Sequence, residues 1–197
     1  MYKINEIAGV DEVGRGCLAG PVFSAAVILN NDVNVKEIKD SKKISFKKRI
    51  LLAEYIKKNS IYAIGSASVE EINEINILNA SLLSMERALK KLKYKPSVAY
   101  IDGLFSPKNL NIRCKTFVKG DEKIISIAAA SILAKASRDL FMIKLSKNYP
   151  NYNWNKNFGY GTPAHLRGLE KFGVTKHHRI KFRPVHHMLL VNKRETL

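Results

Sequence analysis

The chain has 197 residues, 46% of them hydrophobic, enough to bury the core of one domain and to exclude intrinsic disorder. Lysine and arginine total 34 against 17 acidic residues, a formal charge of +17 with a pI near 9.9, so the natural partner is a polyanion and nucleic acid leads that class. No apolar run approaches the roughly 20 residues of a bilayer span, and Cys17 and Cys114 lack CxxC spacing, which argues against a disulfide scaffold and a cysteine zinc site. The expectation is a cytoplasmic, monomeric protein with no membrane partner.

The first apolar run, Ile7 to Val10, stops at Asp11-Glu12. Val22 to Leu29 follows Pro21, is rich in β-branched and apolar residues, and reads as a strand. Residues 30–44 are polar and lysine-rich and read as a loop. Ser45 caps a helix that runs towards Lys58, with Ile50, Leu51, Tyr55 and Ile56 inward. Ile61 to Ala67 is a third strand. Ser68 and Glu71 have the spacing of a capping box, and the helix behind them continues towards Lys93.

Val98 to Ile101 and Arg113 to Val118 are further strands, ending at Asp102-Gly103 and at Lys119-Gly120-Asp121. Residues 122–147 read as one helix, apolar on nearly every side until Lys135. Asn151 to Gly161 is an aromatic loop, and Thr162-Pro163 supplies an N-cap with proline at the first helical position. Three strands followed by strands alternating with helices predict a mixed α/β sheet flanked by helices. Residues 144–197 carry 11 lysines and arginines, 2 acidic residues and all five histidines, and predict a basic piece packed beside the sheet.

Acidic residues are scarce, yet Asp11, Glu12, Asp102 and Asp121 stand where strands stop or hand over to a helix, the place where α/β sheets build sites. Singly, each has an ordinary reading: a turn dipeptide at Asp102-Gly103, an N-cap at Asp121, solvated charge at Asp11-Glu12. Together, four carboxylates converging in a basic protein call for a hard divalent cation such as Mg²⁺. Two ions about 3.5–4 Å apart would serve phosphodiester hydrolysis. Asp139 is the rival for the fourth place. It lies 18 residues beyond Asp121, about 27 Å along a single helix, so both cannot reach one site, and it is also spaced to pair with Lys135. Asp121 is the preferred ligand.

Gly14-Arg15-Gly16 lets backbone N–H groups approach a ligand beside a guanidinium. Tyr160, between two glycines, offers a bare ring for stacking on a sugar or base. The pairs His177-His178 and His186-His187 cannot each chelate a metal, because adjacent side chains diverge, and are expected as basic surface histidines near nucleic acid. Tyr149, Tyr152 and Trp154 suit either DNA contact or core packing.

Asp11-Glu12-Val13-Gly14-Arg15-Gly16 with Gly20-Pro21-Val22 resembles the opening signature of ribonuclease HII. The resemblance continues in order through Asp40-Ser41-Lys42-Lys43, Asp102-Gly103, Lys119-Gly120-Asp121, and Ala128-Ala129-Ala130-Ser131-Ile132-Leu133-Ala134-Lys135 with Arg138-Asp139. It closes with Gly159-Tyr160-Gly161-Thr162-Pro163, His165, His178-Arg179, Phe182 and Pro184-Val185. The related ribonuclease HIII lacks the arginine between the glycines and carries an extra N-terminal domain, which is not expected ahead of Asp11.

The resemblance implies a ribonuclease-H-like catalytic domain over 1–147 with a basic helical C-terminal extension, 148–197, packed on the same domain. It implies an endoribonuclease that cuts RNA in RNA–DNA hybrids and at single ribonucleotides in duplex DNA, leaving 3′-hydroxyl and 5′-phosphate ends. Asp11, Glu12, Asp102 and Asp121 would hold Mn²⁺ or Mg²⁺, two ions during catalysis. Gly14, Arg15, Gly16 and Tyr160 would meet the ribonucleotide, and Ser41 and Lys42 the flanking phosphates. Glu122, Lys181 and Leu104 depart from the usual family pattern without touching the carboxylate set.

Overall fold

The structure is a computed structural model and describes residues 6–31, 33–39 and 44–194. Five strands form one mixed sheet in the order β3-β2-β1-β4-β5. Strand β1 (Ile7–Val13), β2 (Val22–Leu29) and β3 (Ser60–Ala67) make an antiparallel meander, while β4 (Val98–Asp102) and β5 (Arg113–Phe117) run parallel to β1 on its other side. This is the mixed sheet that the order of elements predicts.

Period-two alternation sorts β2 between two cores. Ala25, Val27 and Leu29 pack with Leu52, Ala53 and Ile56 of α2 (Phe46–Lys58) and with the alanine-rich start of α5 (Ile125–Ser146). Ala26 and Ile28 pack on the opposite face with Met85, Ala88 and Leu89 of α3 (Val69–Lys90). Both faces are covered, which is why β2 reads as a continuous apolar run. Helix α5 can lie against β1 only because position 9 is glycine: a Cβ there would stand 2.0 Å from the Ser126 carbonyl carbon.

The polar segment 30–44 is not all loop. It contains a short helix, α1 (Val35–Lys39), because Val33 and Ile38 are apolar enough to dock on the α5 side of the core. The helix expected over 122–147 is two, α4 (Gly120–Lys123) and α5, broken at Ile124, whose extended backbone (φ −126°, ψ 117°) redirects the chain. The capping box of α3 forms as expected, through Ser68 and Glu71. Asn76 kinks α3 with φ 69°, and its side-chain oxygen accepts from the Asn79 N–H to restart it.

Beyond α5 come a 3-10 turn (Pro150–Tyr152), α6 (Trp154–Asn157), α7 (Pro163–Phe172) and α8 (Arg183–Arg194), so the aromatic segment 151–161 is partly helical. Tyr152, Trp154, Leu169 and Val185 close a third core against Leu18, Ala19 and Met142. Trp154 and Tyr152 are therefore packing residues, fully buried and 3% exposed. The histidines divide. His178 is buried, against the expectation of a surface role, and so is His165, whereas His186 and His187 are exposed as expected. No helix among the described residues is long and apolar enough to cross a membrane.

Candidate active site

Strands β1 and β4 are parallel and adjacent, with Val10 opposite Ile101. One further step in that register sets Asp11 beside Asp102 at the carboxyl ends of the two central strands. Asp11 is buried, and its Oδ1 accepts from the Glu12 N–H at 2.7 Å. Burial pushes its carboxyl well above the usual range. The charges of Glu12 and Asp102 push the same way, and hydrogen bonding with Ser131 on α5 opposes them. Glu12 is also raised by burial, against the pull of Arg15, whose Nη1 donates to Oε1 at 3.0 Å.

Asp102 Oδ1 accepts from the Gly120 N–H at 2.6 Å, which places the first turn of α4, with Asp121 on it, against the end of β4. Thus Asp11, Glu12 and Asp102 share one electrostatic neighbourhood, and Asp121 adjoins it through Gly120. The buried Glu12 Oε2 has no hydrogen-bond partner among the described residues. A buried, unpartnered carboxylate oxygen beside two repelling carboxylates fits an oxygen-seeking cation. Among the described residues no three His, Cys, Asp or Glu side chains are grouped to hold an ion by themselves.

Asp139, the rival for the fourth place, is engaged elsewhere. It is fully buried, bound to Lys135 Nζ at 2.7 Å and to Arg49 Nη1 at 2.9 Å, and so ties α2 to α5. The Lys135 ammonium in turn lies over the rings of Phe158 and Tyr160, 4.8 and 5.5 Å from their centroids.

The glycine-arginine-glycine loop follows β1 directly. Gly14 has φ 94°, and a Cβ there would meet the Arg138 guanidinium at 2.2 Å, so glycine is required on both counts. Arg15 and Gly16 are exposed. Tyr160 is 38% exposed. Its phenol is pushed up, first by burial and then by the Cys17 thiol, with which it hydrogen-bonds, and the Arg138 charge opposes this. Ser41 and Lys42 lie outside the described residues.

Sequence reasoning assigned no role to the residues that hold this loop. Arg138 is fully buried and gives all three of its donor nitrogens to carbonyls, of Pro21, Phe158 and Ala19. Arg179, also fully buried, donates to Gly20 O at 3.0 and 2.8 Å and to Arg15 O at 2.8 Å. No local pattern set Arg138 apart, because it stands in α5 near the charged Lys135, Asp139 and Lys144.

A ribonuclease HII family model matches residues 8–185. The chain belongs to the ribonuclease HII family. Ribonuclease HII of Pelagibacter ubique is 57% identical over 183 residues, covering 93% of this chain and 98% of that one. That of Roseobacter denitrificans is 49% identical, covering 95% and 94%. Among solved structures, ribonuclease H2 from Pyrococcus horikoshii superposes with a TM-score of 0.82 at 25% identity, over 95% of this chain and 99% of that one. The ribonuclease HII in a complex with PCNA from Archaeoglobus fulgidus gives 0.75 at 27% identity, over 92% and 96%. As a ribonuclease HII the chain is a hydrolase of RNA phosphodiester bonds, an endoribonuclease acting on RNA–DNA hybrids.

One prediction concerns the buried histidines of this ribonuclease HII. Burial first, then the neighbouring His165, pushes His178 down to about 3. A histidine held neutral in the fold but ordinary when unfolded leaves stability intact above pH 6.5. Stability is lost as pH falls below that value, by up to about 1.4 kcal/mol per pH unit. Denaturant unfolding at pH 7 and pH 5 should show a smaller pH-dependent loss in His178→Gln than in wild type. Equal losses would mean that His178 does not titrate on unfolding.

Proposed function

We propose that this ribonuclease HII cuts at single ribonucleotides embedded in duplex DNA as well as within continuous hybrids, by hydrolysis that needs two divalent cations. Asp11, Glu12, Asp102 and Asp121 would hold the ions, Mn²⁺ or Mg²⁺. Bound there, the ions would supply an activated water and stabilisation of the leaving oxygen, for a cut leaving 3′-hydroxyl and 5′-phosphate ends. The observation that carries this reading is the partnerless, buried Glu12 Oε2 beside an Asp11 whose ionised form is disfavoured by burial and by two neighbouring carboxylates.

The protein's own groups supply recognition. The 2′-hydroxyl is both donor and acceptor, and the loop presents Arg15 and Gly16 exposed to meet it, with Gly14 buried beneath them. Tyr160 presents its ring to the sugar. Ser41 and Lys42 contact flanking phosphates, and the extension 148–197 adds basic surface while packing on the catalytic domain. The protein acts as a cytoplasmic monomer.

The test is cleavage of a DNA duplex bearing one ribonucleotide, with Mg²⁺, with Mn²⁺ and with chelator. Metal-dependent nicking 5′ of the ribonucleotide is the expected outcome. Binding without nicking would leave a nucleic-acid-binding module.

Affinity for any duplex should fall steeply with salt. Reversing the exposed Lys156, Lys181 and Arg183 to glutamate should flatten the slope of log affinity on log salt by about one for each residue that meets a phosphate. Deleting the tail is the wrong test, because it would remove the fully buried Arg179 and Val185. A slope unchanged in the triple variant would place the DNA elsewhere.

A further inference from the structure

The segment from Thr175 to Arg179 reaches both elements that the proposed reading assigns to ribonucleotide recognition. Its backbone is stitched to the loop: Arg179 N–H donates to Leu18 O at 2.8 Å, and Gly20 N–H to His177 O at 2.8 Å. The Leu18 N–H donates onward to Gly159 O at 2.8 Å, next to Tyr160.

The side chains form a directed chain. Thr175 N–H donates to His178 Nδ1 at 2.9 Å, so that nitrogen carries no proton. Trp154 Nε1, which can only donate, points at His165 Nε2 at 3.0 Å, so that nitrogen carries none either. His178 Nε2 lies 3.1 Å from the same His165 Nε2 and must therefore be the protonated donor. The His165 proton is left on Nδ1, which donates to the Tyr160 carbonyl at 2.9 Å. Every ring nitrogen has one assigned role, and both rings are neutral. Arg179, the next residue, holds the Arg15 carbonyl at 2.8 Å.

We propose that the Thr175–Arg179 turn is a positioning element for ribonucleotide recognition: His178, through His165, sets the Tyr160 backbone, while Arg179 sets the backbone of the glycine-arginine-glycine loop. The two halves of the recognition surface are thereby fixed to one another by a single short segment. This rests on the proposed role of Tyr160, and the experiment separates the two.

The readout is a selectivity ratio, kcat/KM on a duplex with one ribonucleotide divided by that on a continuous hybrid. His178→Gln keeps a donor near the position of Nε2, whereas His178→Asn keeps only an acceptor for Thr175. The expected result is a ratio within twofold of wild type for Gln and at least fivefold lower for Asn, with no further loss when Asn is added to Tyr160→Ala. Folded Gln and Asn variants that share one ratio would overturn the proposal. If Tyr160→Ala itself leaves the ratio unchanged, the role of Tyr160 fails. If Tyr160→Ala lowers it and His178→Asn does not, only the positioning role fails. A second arm needs no variant. In wild-type protein with ¹⁵N-labelled histidine at pH 7, His165 should be protonated on Nδ1 and His178 on Nε2. The opposite tautomer on either ring breaks the chain and the proposal.

Discussion

Asp11→Asn should take cleavage below about a hundredth of wild type, roughly 2.7 kcal/mol of barrier, and yet make the metal-free protein more stable. The two effects have one cause. Burial and the charges of Glu12 and Asp102 disfavour ionised Asp11 in the fold. A carboxyl raised in the native state costs stability once pH exceeds its unfolded value near 4, and that cost disappears as pH falls. Asparagine removes the charge and keeps an oxygen to accept the Glu12 N–H. In chelator, the melting temperature of the variant should exceed that of wild type at pH 8, and the gap should narrow towards pH 4. Added Mg²⁺ or Mn²⁺ should stabilise wild type more than the variant. Asp102→Asn should also lose cleavage. Either variant retaining more than about a tenth of the wild-type rate, a cost under roughly 1.4 kcal/mol, would remove that residue from the proposed metal set.

Tyr160→Ala should cut cleavage at a single ribonucleotide severely, and Tyr160→Phe moderately. Tyr160 is 38% exposed and so available for stacking, although the Lys135 ammonium lies over its ring. Loss of stacking is worth about 1–3 kcal/mol, or about 5–150-fold. Phenylalanine keeps that face and loses only the hydroxyl, which in the free protein is engaged with Cys17. On a continuous hybrid, neighbouring 2′-hydroxyls offer alternative registers and the losses should be smaller. Equal losses on both substrates would make Tyr160 a scaffold residue and leave recognition to the Arg15 loop.

Much of this arrangement was legible in the chain, for identifiable reasons. The strands announce themselves by apolar runs, and the placement of Asp11, Glu12 and Asp102 at their ends needs only the alternation of strand and polar stop. Two kinds of feature stayed hidden. Ile124 divides two helices where the charged run 119–123 gives way to the apolar start of α5, with no proline or glycine at the break to mark the change of direction. His178 looks like a surface residue because its neighbours are basic, and only the fold reveals that it and His165 each have a partner for both ring nitrogens. Long-range pairing of polar groups leaves no local pattern, so Arg179, more than 150 residues from the carbonyls it serves, could not be placed from sequence.

Those arginines have an electrostatic consequence. Arg138 and Arg179 give these hydrogen bonds to neutral carbonyls, and each guanidinium carries a positive charge. Two fixed positive charges therefore sit within the scaffold under the loop proposed to meet the ribonucleotide. Mobile ions screen surface lysines over about 8 Å at physiological ionic strength, but they screen buried charge much less. The attraction for a phosphate lying over Gly14-Arg15-Gly16 thus has a component that persists at ionic strengths high enough to silence the protein's outer lysines.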